Sequence, residues 1–534
     1  MKTNAKQANH NHLQNRGYAK TLVFVVVWTI IFSLAYAQSP LYTSNQNQYF
    51  LHGLAQAGLG NLSQDWLANT LDPTPVFSKL IELSWRLILW QPVFYLYFGL
   101  LAGVYLFSIL GIVNQLWGLA ASSSKRWLYL SILVVLHSAA LRYLISQILG
   151  VNWDYLLDGG VAGQRLLGTV LQPSTFGVLL VLSIYLFLRR ELIWAIVSLL
   201  AATIFHPTYL LSAAVLTAVY MGLYFWETRN LRATLALGLG AFVGVIPVLW
   251  QTYSTFGGTS PELTARAREI LVTFRIPHHA LVTDWFDASV IVKLFFVGLA
   301  LILLFRYQSF ETPHSEQAFT PARKLFHILL WPSVLAIFIT LVQVITASDM
   351  LALLFPWRLS TWLVPLSVSL IAGWGVYSLS ERLPLARYSR VLVTFCLIAA
   401  LVFAAAGTLK FWISWQEKHN AIEQPMMTFV EAHQQPGEIY LIPTKMQDFR
   451  LETGAPAYVE FKSIPYQDVE VLEWYRRLLL ANQFYARGSC DELPELAAEG
   501  ITHLVLPAGH PAFACSTVEL EYLDDNFGVV TLDK

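Results

Sequence analysis

Residues 89–112 read LWQPVFYLYFGLLAGVYLFSILGI, twenty-four consecutive positions without a charged side chain. At about 1.5 Å per residue such a helix covers the roughly 30 Å of a bilayer's hydrocarbon core, whereas a surface helix of the same length would carry a polar stripe. Lipid is therefore the solvent this stretch is built for. Ten further runs have the same character: 21–37, 127–145, 171–188, 191–206, 208–226, 231–250, 288–305, 326–346, 354–378 and 391–409. The sequence thus predicts a polytopic α-helical membrane protein with about eleven transmembrane helices. Composition agrees, with 56% hydrophobic and 13% charged residues among 534 and a mean hydropathy of +0.52. A soluble chain carries about 25% charge. A net charge of zero without a basic tract speaks against nucleic acid as a partner, and the apolar content speaks against disorder.

Charge divides the chain. Residues 1–409 hold 25 Lys and Arg against 15 Asp and Glu, while residues 410–534 hold 9 against 19. The reading is a cytoplasmic tail over 1–20, a membrane domain over 21–409 with long outer loops at 38–88, 146–170 and 251–288, and a small soluble α/β domain over 410–534. In that last part EIYLIP (438–443), AYVEFK (457–462) and ITHLVLP (501–507) read as strands, the final FGVVTL as an edge strand, and 468–485 as a helix. Cys490 and Cys515 lie in this polar part and are able to pair if it is extracytoplasmic; Cys396 lies in an apolar run as packing.

Basic residues set the orientation. With the N-terminus in the cytoplasm, one cluster falls on each cytoplasmic connection: Lys2, Lys6, Arg16 and Lys20; Lys125 and Arg126; Arg189 and Arg190; Arg229 and Arg232; Arg306, Arg323 and Lys324; Arg382, Arg387 and Arg390. The chain is then an integral protein of the plasma (inner) membrane with its C-terminal domain outside. Leu22 to Leu34 followed by Ala35-Tyr36-Ala37 has the form of a cleavable signal, but the polar lead and the bulky Trp28 and Phe32 favour a retained anchor.

In this topology Asp65, Asp72, Asp154, Asp158, Asp284, Asp287 and Asp349 all fall outside. The retention of Lys and Arg inside accounts for part of that bias; the length of the outer loops is left over. In 38–88 the spacing of Tyr49, Phe50, Leu54 and Leu59 suggests a helix along the interface, and Asp72-Pro73 and Pro75 limit further helix. The 251–288 loop adds Arg266, Arg268 and Arg275, then Pro277-His278-His279. A guanidinium fork suits phosphate oxygens, although 262–274 also reads as a charged surface helix. Arg358 stands in FPWRLSTW at a span end, as a functional group or a snorkelling one, and His206-Pro207 as an anion ligand or a helix cap. Arg142 is placed to neutralise Asp154 or Asp158, and Gly159-Gly160 allows close backbone approach. Lys462, Arg450, Arg476 and Arg477 reach a headgroup or simply pair on a helix surface. No metalloprotease, Walker or dinucleotide motif is present.

This topology, with its acidic first loop and outer arginines, resembles the GT-C glycosyltransferases, among them protein O-mannosyltransferases, oligosaccharyltransferase catalytic subunits and lipid A aminoarabinose transferases. NQYFLHGLAQAGLGNLSQDWLANTLDPTPVF (47–77), FRIPHH (274–279), PWRLSTWLVPLS (356–367), AYVEFKSIPY (457–466) and EVLEWYRR (470–477) resemble, over nearly the whole chain, an uncharacterised bacterial multi-pass family frequent in cyanobacteria. The transferase pattern of an acidic pair, a tyrosine and a later Asp-Trp falls on Asn45-Gln46, Tyr49 and Asp65-Trp66. Two amides supply neither a carboxylate base nor a strong metal ligand, so either Asp65 or Asp72 takes over that role or the mechanism differs.

The resemblance implies transfer of a sugar from a polyprenyl-phosphate donor to an envelope lipid, glycan or protein at the outer surface. Asp65 and Asp72 are the expected catalytic carboxylates, with Asp154 and Asp158 orienting the acceptor or a divalent cation (Mg or Mn). Arg275, His278, His279, Arg358 and His206 are expected to hold the donor's phosphate. A lipid-linked glycan transporter or flippase, and a non-catalytic envelope scaffold, are the competing expectations.

Overall fold

A computed structural model describes residues 2–308, 319–385 and 387–532. Every predicted apolar run is helical, but their lengths differ. Among the described residues eight helices are long and apolar enough to cross a membrane: Ala19–Tyr36, Val93–Trp117, Pro207–Thr228, Leu231–Phe256, Ala288–Tyr307, Pro321–Thr346, Asp349–Arg382 and Ser389–His419. Ser123–Leu136 and Ala139–Leu149 make a ninth if taken as one span bent by 49°. Polar groups hold that bend: Ser138 Oγ accepts from Leu141 N at 3.1 Å, and Arg142 Nη1 donates to His137 O at 2.8 Å.

The expected eleven is therefore corrected to eight or nine. The fourth and fifth runs form Pro173–Leu188 and Leu192–Phe205, and fourteen residues at about 1.5 Å each reach only about 21 Å. Their apolar runs are cut by polar punctuation. Gln172 and Thr175 form a reciprocal cap over a 3₁₀ turn, Arg189 to Glu191 form the tight connection, and His206-Pro207 ends the second helix. Multiple long apolar helices with lipid-like surfaces, such as Ile345 at 82% exposure and Leu239 at 62%, make this a multi-pass membrane protein.

The loops meet on one face. Thr259 N and Thr264 Oγ1 both donate to Asp468 Oδ2 at 2.8 Å, Leu71 N donates to Glu470 Oε1 at 3.0 Å, and Arg275 donates to Lys462 O. The loops around 60, 160 and 275 and the C-terminal domain thus share one end of the helices. The described basic clusters lie at the other end, where Lys324 pairs with Glu227 at 2.9 Å and Lys125 with Glu381 at 3.7 Å. The side chains of Lys2, Lys6 and Arg16 are outside the described residues.

The segment 38–88 departs from expectation. Asn45–Tyr49 and Leu51–Ala57 are short helices whose Phe50, Leu51 and Leu54 are fully buried, so they do not lie along the interface. The amphipathic surface helix is Pro75–Ile88, with Phe77 and Ile81 inward and Leu83, Leu87 and Ile88 outward. Pro75 starts that helix rather than limiting it, since a first-turn residue has no amide bond to lose. The N-terminal span packs as a core member, with Trp28, Phe32 and Tyr36 buried and the Tyr36 hydroxyl donating to Leu167 O at 2.5 Å.

Ser389–His419 runs past the compositional break before the C-terminal domain begins. The domain's sheet is β1 (Tyr440–Leu441), β2 (His503–Pro507), β3 (Val518–Leu523) and β4 (Phe527–Leu532) in the order β1-β2-β4-β3. The final strand is therefore interior, and the edge is β3, whose alternating Glu519 and Glu521 keep it solvated. AYVEFK forms only a bridge at Ala457, because Glu460 turns inward to bind its own loop amides. Asp468–Arg487 is the expected helix, and Cys490 is disulfide-bonded to Cys515.

Candidate functional site

Four amides prepare the site. Asn45 Nδ2 donates to Gln172 Oε1 at 2.8 Å, Gln46 Oε1 accepts from Tyr42 N at 2.8 Å, and Asn47 Nδ2 donates to Asp448 Oδ1 at 2.6 Å. Gln48 makes a two-way pair with the backbone of Ile464 at 2.7 and 2.8 Å. An amide both donates and accepts and stays neutral, which suits burial where a carboxylate would be costly. Asn47 and Gln48 thus join the first long loop to the C-terminal domain, Asn45 and Gln46 fix the run to the membrane domain, and Tyr49 follows directly.

Tyr49 opens a cluster drawn from five segments. Its hydroxyl lies within electrostatic reach of that of Tyr466, and its ring lies 6.1 Å from the ring of His206. Arg358 Nη1 donates to His206 Nε2 at 2.9 Å and to Thr208 Oγ1 at 2.5 Å. Because a guanidinium only donates, His206 accepts through Nε2 and carries its proton on Nδ1. That Nδ1 is buried without a partner, and so is Arg358 Nε.

Arg275 ends a π-helical stretch, Ile270–Arg275, and lies over the Phe461 ring at 4.9 Å while donating to Lys462 O. Its own Nε is buried and unpartnered. The following Pro277–Ala280 turn is clamped on both sides. His279 Nδ1 donates to Ala162 O at 2.6 Å, and Trp357 Nε1 donates to His279 O at 2.9 Å. A side chain at Gly163 would press on that imidazole, and one at Gly160 would collide with Ser360 Oγ and Thr361 N. Burial first, and His278 second, push His279 down to about 3, and burial with Arg275 lowers His278, so both rings are neutral at ordinary pH. His206, His278, His279, Arg275 and Arg358 lie near one another in the structure. Lys462, Tyr466, Tyr209 and Thr208 join them.

The carboxylates arrange differently. Asp65 is fully buried and fully engaged: Oδ1 accepts from Leu67 N and Ala68 N, and Oδ2 from Arg450 Nε at 2.6 Å and Ala457 N at 2.9 Å. Asp72 Oδ1 caps Thr74 N at 2.8 Å, and no ion pair or hydrogen bond among the described residues ties it to Arg275 or Arg358. Asp158 pairs with Arg142 at 3.1 Å, leaving Oδ1 buried without a partner. Asp154 is half-buried beside Arg165, whose guanidinium stacks on Tyr155 at 3.7 Å. Burial raises the Asp154 carboxyl above its usual range, with Arg165 opposing. Lys293 completes this second group, donating to Gly160 O at 2.9 Å within electrostatic reach of Asp158, Arg165 and Asp154.

Other basic residues take ordinary roles. Arg266 pairs with Glu269 in the open, Arg476 with Glu473 and Glu499, and Arg477 with Glu473 while covering Trp66. Among the described residues no three of His, Cys, Asp and Glu gather into a set that could hold a metal ion.

A family model described as a domain of unknown function, DUF6798, matches residues 421–481. That stretch carries Arg450, Glu460, Lys462 and Tyr466. No curated protein matches. Two solved structures of ArnT from Cupriavidus metallidurans are similar at 13% identity. The one bound to undecaprenyl phosphate has a TM-score of 0.41 and covers 96% of this chain and 98% of that one. The apo form has a TM-score of 0.39, with 97% and 98% covered. Likeness at that level assigns no residue a role.

Proposed function

We propose that this protein is a GT-C-type glycosyltransferase that moves a sugar from a polyprenyl-phosphate donor to an acceptor at the outer face of the membrane. The observation that carries this reading is the set of buried, unpartnered donors in one cluster: Arg275 Nε, Arg358 Nε and His206 Nδ1. Leaving such groups unbonded costs about 1–3 kcal/mol each, and more for charged ones. An anion with several oxygens removes that cost, and a phosphate at the end of membrane helices belongs to a lipid. A scaffold has no use for three such donors.

In the transfer, a base takes the proton of the acceptor hydroxyl or amine as its oxygen or nitrogen attacks the anomeric carbon. The bond from that carbon to the phosphate oxygen breaks, and negative charge grows on the leaving phosphate. Arg275 and Arg358 stabilise that charge, and the neutral His206 adds a proton-bearing nitrogen without repelling them. We assign the base to Asp154. It is half-open, its carboxyl binds protons more tightly than a solvated one, and Arg165 links its group to Lys462. Asp158, locked by Arg142, holds the loop. Asp65 has no free lone pair for this work, and Asp72 stands as the alternative base.

Lipid and glycan extracts from cells expressing each variant decide between them by mass spectrometry. Asp154→Asn is expected to cut product by about a hundredfold or more at normal abundance, the usual span for a lost general base, while Asp72→Asn keeps it. Loss in Asp72→Asn with retention in Asp154→Asn moves the base to the first loop.

A further inference from the structure

Residues 460–466 of the C-terminal domain cross over the cluster as a strap. Glu460 Oε2 accepts from Lys462 N at 2.5 Å and Oε1 from Ser463 N at 2.6 Å, which folds the strap around its carboxylate. Arg450 Nη1 lies 3.5 Å from Glu460 Oε1, and Arg450 also holds Asp65. Trp474 Nε1 donates to Glu460 O at 3.0 Å, Phe461 N to Thr444 O at 2.8 Å, and Gln48 grips Ile464. Its anchors are buried or half-buried, and the Lys462 ammonium is the charged group they carry.

Among the described residues no carboxylate forms an ion pair with Lys462. Arg275 and Arg165 are its cationic neighbours, His278 and His279 lie within its field, and the nearest acid, Glu460, is already taken by Arg450 and two backbone amides. Like charges packed together and half-buried repel unless an anion joins them. We infer that Lys462 is a ligand of the donor's phosphate, supplied in trans by the C-terminal domain, and that the buried Asp65–Arg450–Glu460 chain is the device that positions it. This rests on the lipid-phosphate reading above. It makes the membrane domain alone an incomplete site, since the guanidiniums come from the membrane loops and the ammonium from the strap. It also gives Asp65 a positioning role, because its carboxylate reaches the phosphate only through Arg450, Glu460 and the strap.

The test is binding of farnesyl phosphate, with inorganic phosphate and farnesol as controls, to the full-length protein in detergent by calorimetry. Lys462→Met is expected to weaken farnesyl phosphate binding about tenfold to a hundredfold, the worth of one charge-assisted hydrogen bond, and Lys462→Arg to restore it to within about threefold. Burial and Arg275 lower the lysine's proton affinity, so wild-type binding falls at alkaline pH sooner than a solvated lysine would allow. Lys462→Arg removes that limb. Glu460→Gln, by deleting the one charge that favours the ammonium, moves it to lower pH, which a purely structural loss would not do. Wild-type affinity in Lys462→Met, with Arg358→Met impaired, overturns the assignment of Lys462 and leaves the lipid-phosphate reading standing. No farnesyl phosphate binding by the wild type, or equal binding of inorganic phosphate, overturns that reading itself.

Discussion

Arg358→Met is expected to lower turnover by about a hundredfold to a thousandfold, the cost of removing one preorganised donor from a developing anion, in a chain that still folds. The guanidinium sits where the 347–353 segment turns into the buried Ser360–Arg382 helix, and Trp357 and Leu359 on either side are packed without it. Methionine keeps the stem and loses the charge. What remains is His206, whose Nε2 loses its donor, and Thr208, so the local fold has little reason to fail. A snorkelling arginine predicts the opposite pattern, with unchanged turnover and a small change in membrane insertion. Transfer assayed on purified protein with matched thermal melts separates the two.

Asp65→Ala is expected to destabilise the docking of the C-terminal domain by about 3–5 kcal/mol, as for one partner removed from a buried ion pair. The loss is compound. Arg450 is left charged in a buried place with Glu460 as its remaining charged partner beside the Ala457 carbonyl, and the amides of Leu67, Ala68 and Ala457 lose their acceptor. The observable is a lower melting temperature together with faster proteolysis of the chain between the last membrane helix and the domain. Because the three charged groups form one network, their effects should not add. The triple variant Asp65→Leu, Arg450→Met, Glu460→Gln should melt higher than Asp65→Ala, since it leaves no buried charge unpaired. A wild-type melt for Asp65→Ala would make Asp65 a candidate base again.

The membrane architecture was legible because hydrocarbon imposes a simple rule on long segments, and every apolar run did become a helix. The count failed where a run was apolar throughout yet punctuated by Gln172, Arg189-Arg190 and His206-Pro207, residues that shorten a helix without changing its composition. The arginines and histidines singled out at span ends are brought near one another by the fold, although capping and snorkelling were equally open readings of each. The engagement of Asp65 was not legible, for a reason of distance. Asp65 looks free in its own loop; its partner Arg450 stands 385 residues away, and only folding reveals that its lone pairs are spent. Lys462 was named only as one of four basic residues able to reach a headgroup, because the alternation of AYVEFK reads as a strand. The signal that could have exposed it is Glu460 two residues earlier, a second charge on what would be one face of a buried strand.

A phosphate-bearing lipid meeting buried cationic donors, on the face that carries the C-terminal domain, is the event on which the proposed chemistry depends. Mass spectrometry of lipids that co-purify with the full chain, compared with the Arg275→Met, Arg358→Met double variant at equal thermal stability, addresses this directly. The wild type should retain a polyprenyl-phosphate sugar and the double variant should lose it; a wild type free of such lipids, or equal amounts in both, would contradict it.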